Sequence, residues 1–319
     1  MMTPAPVRHF LSIDDLRPKE VLMVLDLADQ LKAARPRPGT APIGAPNTTL
    51  AGHSIALIFE KPSTRTRVSF EVGVAELGGH PVVLNADQIQ LGRGETISDT
   101  AQVLSRYVHA IVLRTFGHDR LEIMAEAGTV PVINALSDLT HPCQALADLQ
   151  TIRARTGRLQ GLKLAYVGDG NNVAHSLLKA GAMMDMHVAV ATPEGYAPNP
   201  QIIDEATELA RAGQGRITVT TDPATALADA DVVYTDVWAS MGQEDEAQER
   251  ASIFAPYQIN SNAMAHAGPD AIVMHCLPAH RGEEITTEVL EGDHSVVFEQ
   301  AENRLHAQKA LLVTLLEGL

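Results

Sequence analysis

Cysteine is almost missing from this chain of 319 residues: Cys143 and Cys276 are the two, far apart and without CxxC spacing. A disulfide framework is thereby excluded, and a reducing compartment, the cytoplasm, is the economical expectation. No apolar run approaches the ~18 residues needed to cross a bilayer, so a membrane-spanning protein is not expected. The opening MMTPAPVRHFLSIDDL has no basic region followed by a long apolar stretch, so a secretory leader is not expected either. Positive charge is scarce as well: 24 Lys and Arg against 39 Asp and Glu leave a formal net charge of −15. Such a surface repels polyphosphate backbones, which argues against a nucleic-acid partner. An anion bound by this protein must be captured by a local basic cluster working against the overall field.

What is present fits a globular chain, 45% hydrophobic and 20% charged, with 23 Gly and 18 Pro. Its length exceeds what one hydrophobic core usually takes, so two domains are expected. Ser12 with Asp15 is a capping-box-like start for a helix carrying Leu16, Val21, Leu22, Leu25 and Ala28. A Pro/Gly-rich loop over 35–46 ends it. Buried strands are expected at 54–59, 81–84, 110–113 and 130–133, with helices near 66–78, 96–106 and 118–127. A long helix should follow His141, since Pro142 suits its first turn. A second strand series lies at 163–167, 187–191, 217–219, 232–235 and 272–275, with helices at about 172–184, 201–212 and 222–229. An amphipathic helix over 301–316 closes the chain. Alternating strands and helices with β-branched, buried strands imply an α/β protein of two doubly wound parallel-sheet domains joined near residue 148.

The first motif with chemistry in it is Ser63-Thr64-Arg65-Thr66-Arg67. A strand ends, Pro62 turns the chain, and a helix begins near Thr66, so open helix N–H groups, hydroxyls and guanidinium converge within one turn. That combination suits a phosphate group. Standing alone, it reads equally well as a Ser/Thr cap beside two solvated arginines. It is not a Walker loop. Gly168-Asp169-Gly170-Asn171-Asn172-Val173 follows a strand and opens a helix, but Val173 stands where a dinucleotide fingerprint needs its third glycine. A zinc site from His275, Cys276 and His280 lacks a second ligand cluster. No metal and no organic cofactor are expected.

S-T-R-T-R followed by V-S-F-E, then His141-Pro142-Cys143-Gln144, then His275-Cys276-Leu277-Pro278, form an ordered set over nearly the whole chain. The set resembles the aspartate/ornithine carbamoyltransferase family. Asp236, Ser240, Met241 and Gly242 in D-x-x-x-S-M-G, with H-C-L-P in place of H-P-L-P, are similar to its ornithine branch. The resemblance implies transfer of the carbamoyl group of carbamoyl phosphate to the δ-amine of L-ornithine, giving L-citrulline and phosphate, within arginine metabolism. It also implies a carbamoyl phosphate-binding domain over 1–148, to which a C-terminal helix of about 300–319 returns, and an ornithine-binding domain over 149–299. Ser63, Thr64, Arg65, Thr66 and Arg67 would cradle the phosphate. Gln90 matches a loop lent to the neighbouring subunit, so a homotrimer with shared active sites is implied. Arg304 matches an arginine that reaches the active site, and Leu277-Pro278 is a candidate cis bond.

The chemistry gives each position a task. Arg114, at a strand carboxyl end, would join His141 and Thr66 in donating to the carbonyl oxygen as it gains charge, a role worth about 3–4 kcal/mol per donor. Alone, Arg114 reads as a surface ion pair and His141 as a capping or core histidine. Gln144, three residues after His141, can accept from the carbamoyl NH₂. An amine of pKa ~10.4 is neutral in roughly one molecule in a thousand near neutral pH, so the site must hold it where a proton is readily lost. Cys276 is the candidate contact, with Asp236 beside it as the resemblance implies, and the resemblance also counts Gln90, Cys276, Leu277 and Arg304 among the residues that bind carbamoyl phosphate. A covalent Cys276–His275 pair is disfavoured because adjacent strand residues face opposite ways. Asp236 would take the α-ammonium of ornithine, and Asn172, Ser240 and Met241 its carboxylate. The rivals are another acceptor (aspartate, putrescine or an N-acylornithine) or a silent anion-binding protein on the same scaffold.

Overall fold

The computed structural model of the chain describes residues 7–35, 47–85, 89–239 and 246–318. Two parallel sheets organise it, each inside its own compact unit. Unit 1 is Met1–Leu146 together with Asn303–Leu319, and unit 2 is Ala147–Glu302. Unit 1 carries β1 (Ser54–Phe59), β2 (His80–Asn85), β3 (Ala110–Arg114) and β4 (Val132–Leu136). Its first helices are α1 (Pro18–Ala34), α2 (Thr64–Glu76), α3 (Ile97–Leu104) and α4 (Asp119–Ala127). Helix α5 (Pro142–Thr156) carries the chain onward. Unit 2 carries β5 (Lys163–Val167), β6 (His187–Ala191), β7 (Arg216–Thr220), β8 (Val232–Thr235) and β9 (Ile272–His275). Its helices are α6 (Asn172–Met183), α7 (Pro200–Arg211), α8 (Pro223–Leu227), α9 (Ala247–Phe254), α10 (Ser261–Met264) and α11 (Thr287–Leu290), before α12 (Val297–Glu317). This is the two-sheet parallel α/β architecture expected from the strand pattern.

The strand order is β2-β1-β3-β4 in the first sheet and β7-β6-β5-β8-β9 in the second, every pairing parallel. In each, the chain builds outward in one direction and then restarts on the other side of its first strand. Open α/β sheets bind ligands outside the strand carboxyl ends at such a reversal. In unit 1 the reversal falls between β1 and β3, whose ends, Phe59 and Arg114, are register partners. In unit 2 it falls between β5 and β8; beyond β8, Thr235 pairs with His275 of β9, so Asp236 and Cys276 leave neighbouring strands side by side. Topology alone thus selects two loop clusters.

Several boundaries differ from the sequence reading, each for a local reason. The Ser12/Asp15 box closes a separate one-turn 3-10 helix, Ile13–Asp15, with Asp15 accepting from the Ser12 N–H at 2.9 Å. Helix α1 starts afresh at Pro18, whose missing N–H costs nothing in a first turn. That start puts Val21, Val24, Leu25 and Ala28 in the core and leaves Leu22 41% exposed. Strand β4 begins at Val132, two residues late, because Pro131 has no N–H to give a ladder. Helix α12 is longer than expected and is not a surface amphipathic helix: residues 303–312 are all buried, Asn303, Arg304, His306, Gln308 and Lys309 among them. Their polar ends reach partners, as when Lys32 donates to Asn303 (2.7 Å) and Lys309 to Glu76 (2.8 Å). Among the described residues, no helix is long and apolar enough to cross a membrane.

Candidate active site

In unit 1, Ser63 caps α2, its Oγ accepting the Thr66 N–H at 3.2 Å. The first-turn N–H groups of a helix have no intrahelical acceptor, and the helix dipole adds positive potential there. Thr66 is buried, and its Oγ1 accepts from Arg304 Nη2 at 3.0 Å. The other guanidinium nitrogen, Nη1, donates to Gln144 Oε1 at 3.1 Å. One planar cation from α12 thereby holds the start of α2 and the first turn of α5 in a single arrangement. Arg114, His141, Gln144 and Arg304 are all buried. Burial, then Arg304, Arg114 and Arg65, hold the His141 imidazole well below its ordinary value of 6.5. His141 is therefore a neutral ring in a field of three guanidiniums, able to donate an N–H without carrying charge.

The turns beneath this cluster are tied together by residues the sequence reading passed over. Lys61 donates to Asp138 at 2.5 Å and lies 4.3 Å from the centre of the Phe116 ring. Glu60 accepts from Thr115 and from Nε and Nη2 of Arg120. The turns after β1, β3 and β4 are thus pinned to one another. Cys143 donates to the Asn134 carbonyl at 3.3 Å, and burial pushes its thiol up to about 12, so it stays protonated.

In unit 2, Asp236 is 5% exposed and lies just past β8. Its Oδ1 accepts from the Cys276 thiol at 3.0 Å and its Oδ2 from Asn171 Nδ2 at 2.8 Å. Asn171 also caps α6, its Oδ1 accepting from Val173 and Ala174. His275 brings a ring nitrogen within 4.8 Å of the Asp236 carboxylate and the Cys276 thiol. Its Nδ1 accepts the Leu277 N–H at 2.9 Å, which leaves the proton on Nε2 to donate to Glu284 Oε1 at 3.0 Å. Both ring nitrogens are engaged, so His275 cannot take the proton of Cys276, and the covalent-pair reading fails. The same engagement speaks against a metal at Asp236, His275 and Cys276, since a ligand imidazole needs a bare nitrogen and a thiol must lose its proton. Gln300 accepts the His275 main-chain N–H at 2.9 Å and donates to Asp148 (2.8 Å) and Tyr234 (3.0 Å). Leu277 sits at φ 58°, in the left-handed region, ahead of a cis bond to Pro278, the isomer the resemblance implied.

The expected residues fall into distinct groups. Thr66, Gln144 and Arg304 are in direct contact, with His141, Arg114 and Arg65 in the same electrostatic neighbourhood. Ser63 serves as the cap, while Thr64 is exposed on the first turn. Arg67 is exposed and paired with Glu71 at 3.4 Å, not gathered into the buried cluster. Gln90 is exposed at the start of the turn Gln90–Arg93. Cys276 and Asp236 meet, Leu277 is held by His275, and Asn172 is the half-buried first residue of α6. Ser240 and Met241 lie outside the described residues. Asn171 was missed, although Asn before an apolar helical run is a capping signal. Glu284, Gln300 and Arg250 carried no such signal.

Comparison with known proteins adds to this geometry. The family model described as Aspartate/ornithine carbamoyltransferase, carbamoyl-P binding domain, matches residues 8–154, and the one described as Aspartate/ornithine carbamoyltransferase, Asp/Orn binding domain, matches 160–315. The chain is 62% identical over 312 residues to an ornithine carbamoyltransferase of Parafrankia sp. (strain EAN1pec), covering 97% of this chain and 96% of that one. It is 60% identical over 314 residues to the ornithine carbamoyltransferase of Acidothermus cellulolyticus, covering 98% and 97%. Among solved structures, the ornithine carbamoyltransferase from Pyrococcus furiosus superposes with a TM-score of 0.93 at 52% identity, over 100% of both chains.

Proposed function

The chain belongs to the aspartate/ornithine carbamoyltransferase family, and from that membership we propose that it transfers the carbamoyl group of carbamoyl phosphate to the δ-amine of L-ornithine, releasing L-citrulline and phosphate. The phosphate is taken by Ser63, Thr64, Arg65, Thr66 and Arg67 at the mouth of α2. Arg114, His141 and Thr66 donate to the carbonyl oxygen, and Gln144 accepts from the carbamoyl NH₂. Arg304 orders Thr66 and Gln144. On unit 2, Asp236 takes the α-ammonium, Asn172 with Ser240 and Met241 takes the carboxylate, and Cys276 meets the amine. The amine lone pair forms the new C–N bond, the tetrahedral oxyanion collapses, the C–O bond to phosphate breaks, and the surplus proton of the nitrogen ends on the departing phosphate. Neutral His141 stabilises that oxyanion as a hydrogen-bond donor.

One observation carries the reading: a buried cationic cluster on unit 1 coexists with a buried carboxylate on unit 2, opposite in charge to a phosphorylated donor and an ammonium-bearing acceptor. A repulsive Asp236 speaks against aspartate as acceptor. The enzyme works as a homotrimer in the cytoplasm, a reading supported by the exposed position of Gln90 and by two cysteines that are both free thiols. The deciding assay compares phosphate release from carbamoyl phosphate with ornithine, aspartate, putrescine and N-acetylornithine. Ornithine should be used far better than the other three; equal or better turnover with any of them overturns the assignment.

A further inference from the structure

Arg250 of α9 is an arginine with only 7% of its surface exposed, and it makes four contacts at once. Nη1 donates to Asp169 Oδ2 at 3.2 Å and to the Trp238 carbonyl at 2.9 Å, and Nε donates to Glu246 at 2.9 Å. The guanidinium carbon lies 5.0 Å from the centre of the Tyr196 ring. Asp169 lies in the loop after β5, which carries Asn171 and leads into Asn172 at the start of α6. Trp238 stands two residues beyond Asp236, after β8. These are the two strands at the chain reversal of the second sheet, so Arg250 ties together the two segments that converge on Asp236. The first segment is also pressed against the chain after β6: Gly170 donates to Tyr196 O at 2.9 Å, and a Cβ there would stand 2.3 Å from Pro198 N. A buried ion pair is weak as a source of stability, because desolvation offsets its attraction. What a planar guanidinium supplies is fixed geometry for several acceptors.

We propose that Arg250 and Asp169 are positioning residues for the acceptor amino acid: their ion pair holds Asn171, Asn172 and Asp236 in register and so sets the affinity for ornithine more than the rate of carbamoyl transfer. The inference rests on the acceptor reading given under Proposed function. The pair is also sensitive to acid. Arg250 faces Asp169 from α9, Asp236 faces it from the end of β8, and the Gly170 N–H faces it from its own loop, while Tyr166 of β5 donates to its main-chain oxygen at 2.9 Å. Burial above all, with Asp236 adding and Arg250 opposing, pushes the Asp169 carboxyl up to about 6. Above that pH the carboxylate grips Arg250; below it the grip slackens.

The test is steady-state kinetics of the full-length enzyme over pH, with D169N and R250Q beside the wild type. Above neutrality, both variants should raise the ornithine KM by about tenfold while changing kcat and the carbamoyl phosphate KM by about twofold or less. The ornithine KM of the wild type should climb as pH falls through about 6 and meet that of D169N, which has no step there. Titration of ornithine itself is common to both proteins and cancels in the comparison. Variants with an unchanged ornithine KM, or with kcat and both KM values altered alike, overturn the inference, as does a D169N profile parallel to the wild type. If R250Q does not fold, the near-isosteric D169N decides alone. A wild type that does not carbamoylate ornithine at all overturns the acceptor reading and this inference with it; ornithine turnover with indifferent variants overturns this inference only.

Discussion

Arg304 shows how much one side chain can organise. Its two terminal nitrogens hold Thr66 and Gln144, the very groups assigned to the carbonyl oxygen and the carbamoyl NH₂. Arg304→Ala should therefore lower kcat by about 100-fold or more through misplacement of both partners. Arg304→Lys should not restore it, because an ammonium cannot reach two acceptors in a fork. Citrulline production near the wild-type rate in either variant would remove Arg304 from the site. His275 has a different burden. His275→Ala leaves the Leu277 N–H without its acceptor and leaves the buried Glu284 carboxylate to the His280 main-chain N–H, which should cost about 1–3 kcal/mol in urea unfolding. A loss well under 1 kcal/mol would mean the turn after β9 is held elsewhere. Sequence motifs revealed Arg304 and Cys276 because those residues stand inside recognisable strings. Glu284 and Arg250 were not legible, since their meaning depends on partners 9 and 81 positions away, which no local spacing encodes.

Elements with strict flanks could be read almost to the residue. Strands β1, β5, β6, β8 and β9 begin and end where the apolar runs do, because a parallel strand buried on both faces leaves little latitude. The short helices α9, α10 and α11 were not foreseen, although α3 and α8, no longer than α9, were; eight residues hold barely two turns in which to show a period. Helix α12 was seen as an element but not as a buried one, since its polar residues find partners that are remote in sequence. Packing of α6 on β6 makes a further demand that spacing does not show. A Cβ on Gly181 would lie 2.2 Å from Val188 Cγ2, and a β-branched valine has one stiff rotor with which to yield. Gly181→Ala gains about 1 kcal/mol of helix propensity, whereas overpacking costs typically 1–3 kcal/mol. The clash should win, lowering the denaturant midpoint. Adding Val188→Ala should recover part of the loss from Gly181→Ala, so a plainly additive double variant would contradict this account of the interface.

At the scale of the whole molecule, two opposing trends compete as pH falls. A chain of formal charge −15 relieves its self-repulsion when it takes up protons, which favours the folded state. Histidines that are buried (His141) or half-buried (His9, His187) act the other way. Burial first, and nearby cations for two of them, hold His141 and His187 below 6.5, and burial does the same for His9 against the pull of Asp15. Through 6.5 the unfolded chain accepts protons at these positions that the folded chain refuses, so folding loses free energy. Asp169 opposes this, since it binds a proton at about 6 when folded and near 3.8 when unfolded. One carboxyl does not offset three imidazoles in that window. Salt separates the two trends, because surface repulsion is screened and buried groups are not. At high ionic strength the thermal midpoint should therefore drop as pH is lowered through 6.5, and His141→Asn should flatten the slope. A midpoint that stays level or rises under those conditions would show that His141 takes its proton in the folded state, and with it the neutral donor assigned to the carbonyl oxygen would be lost.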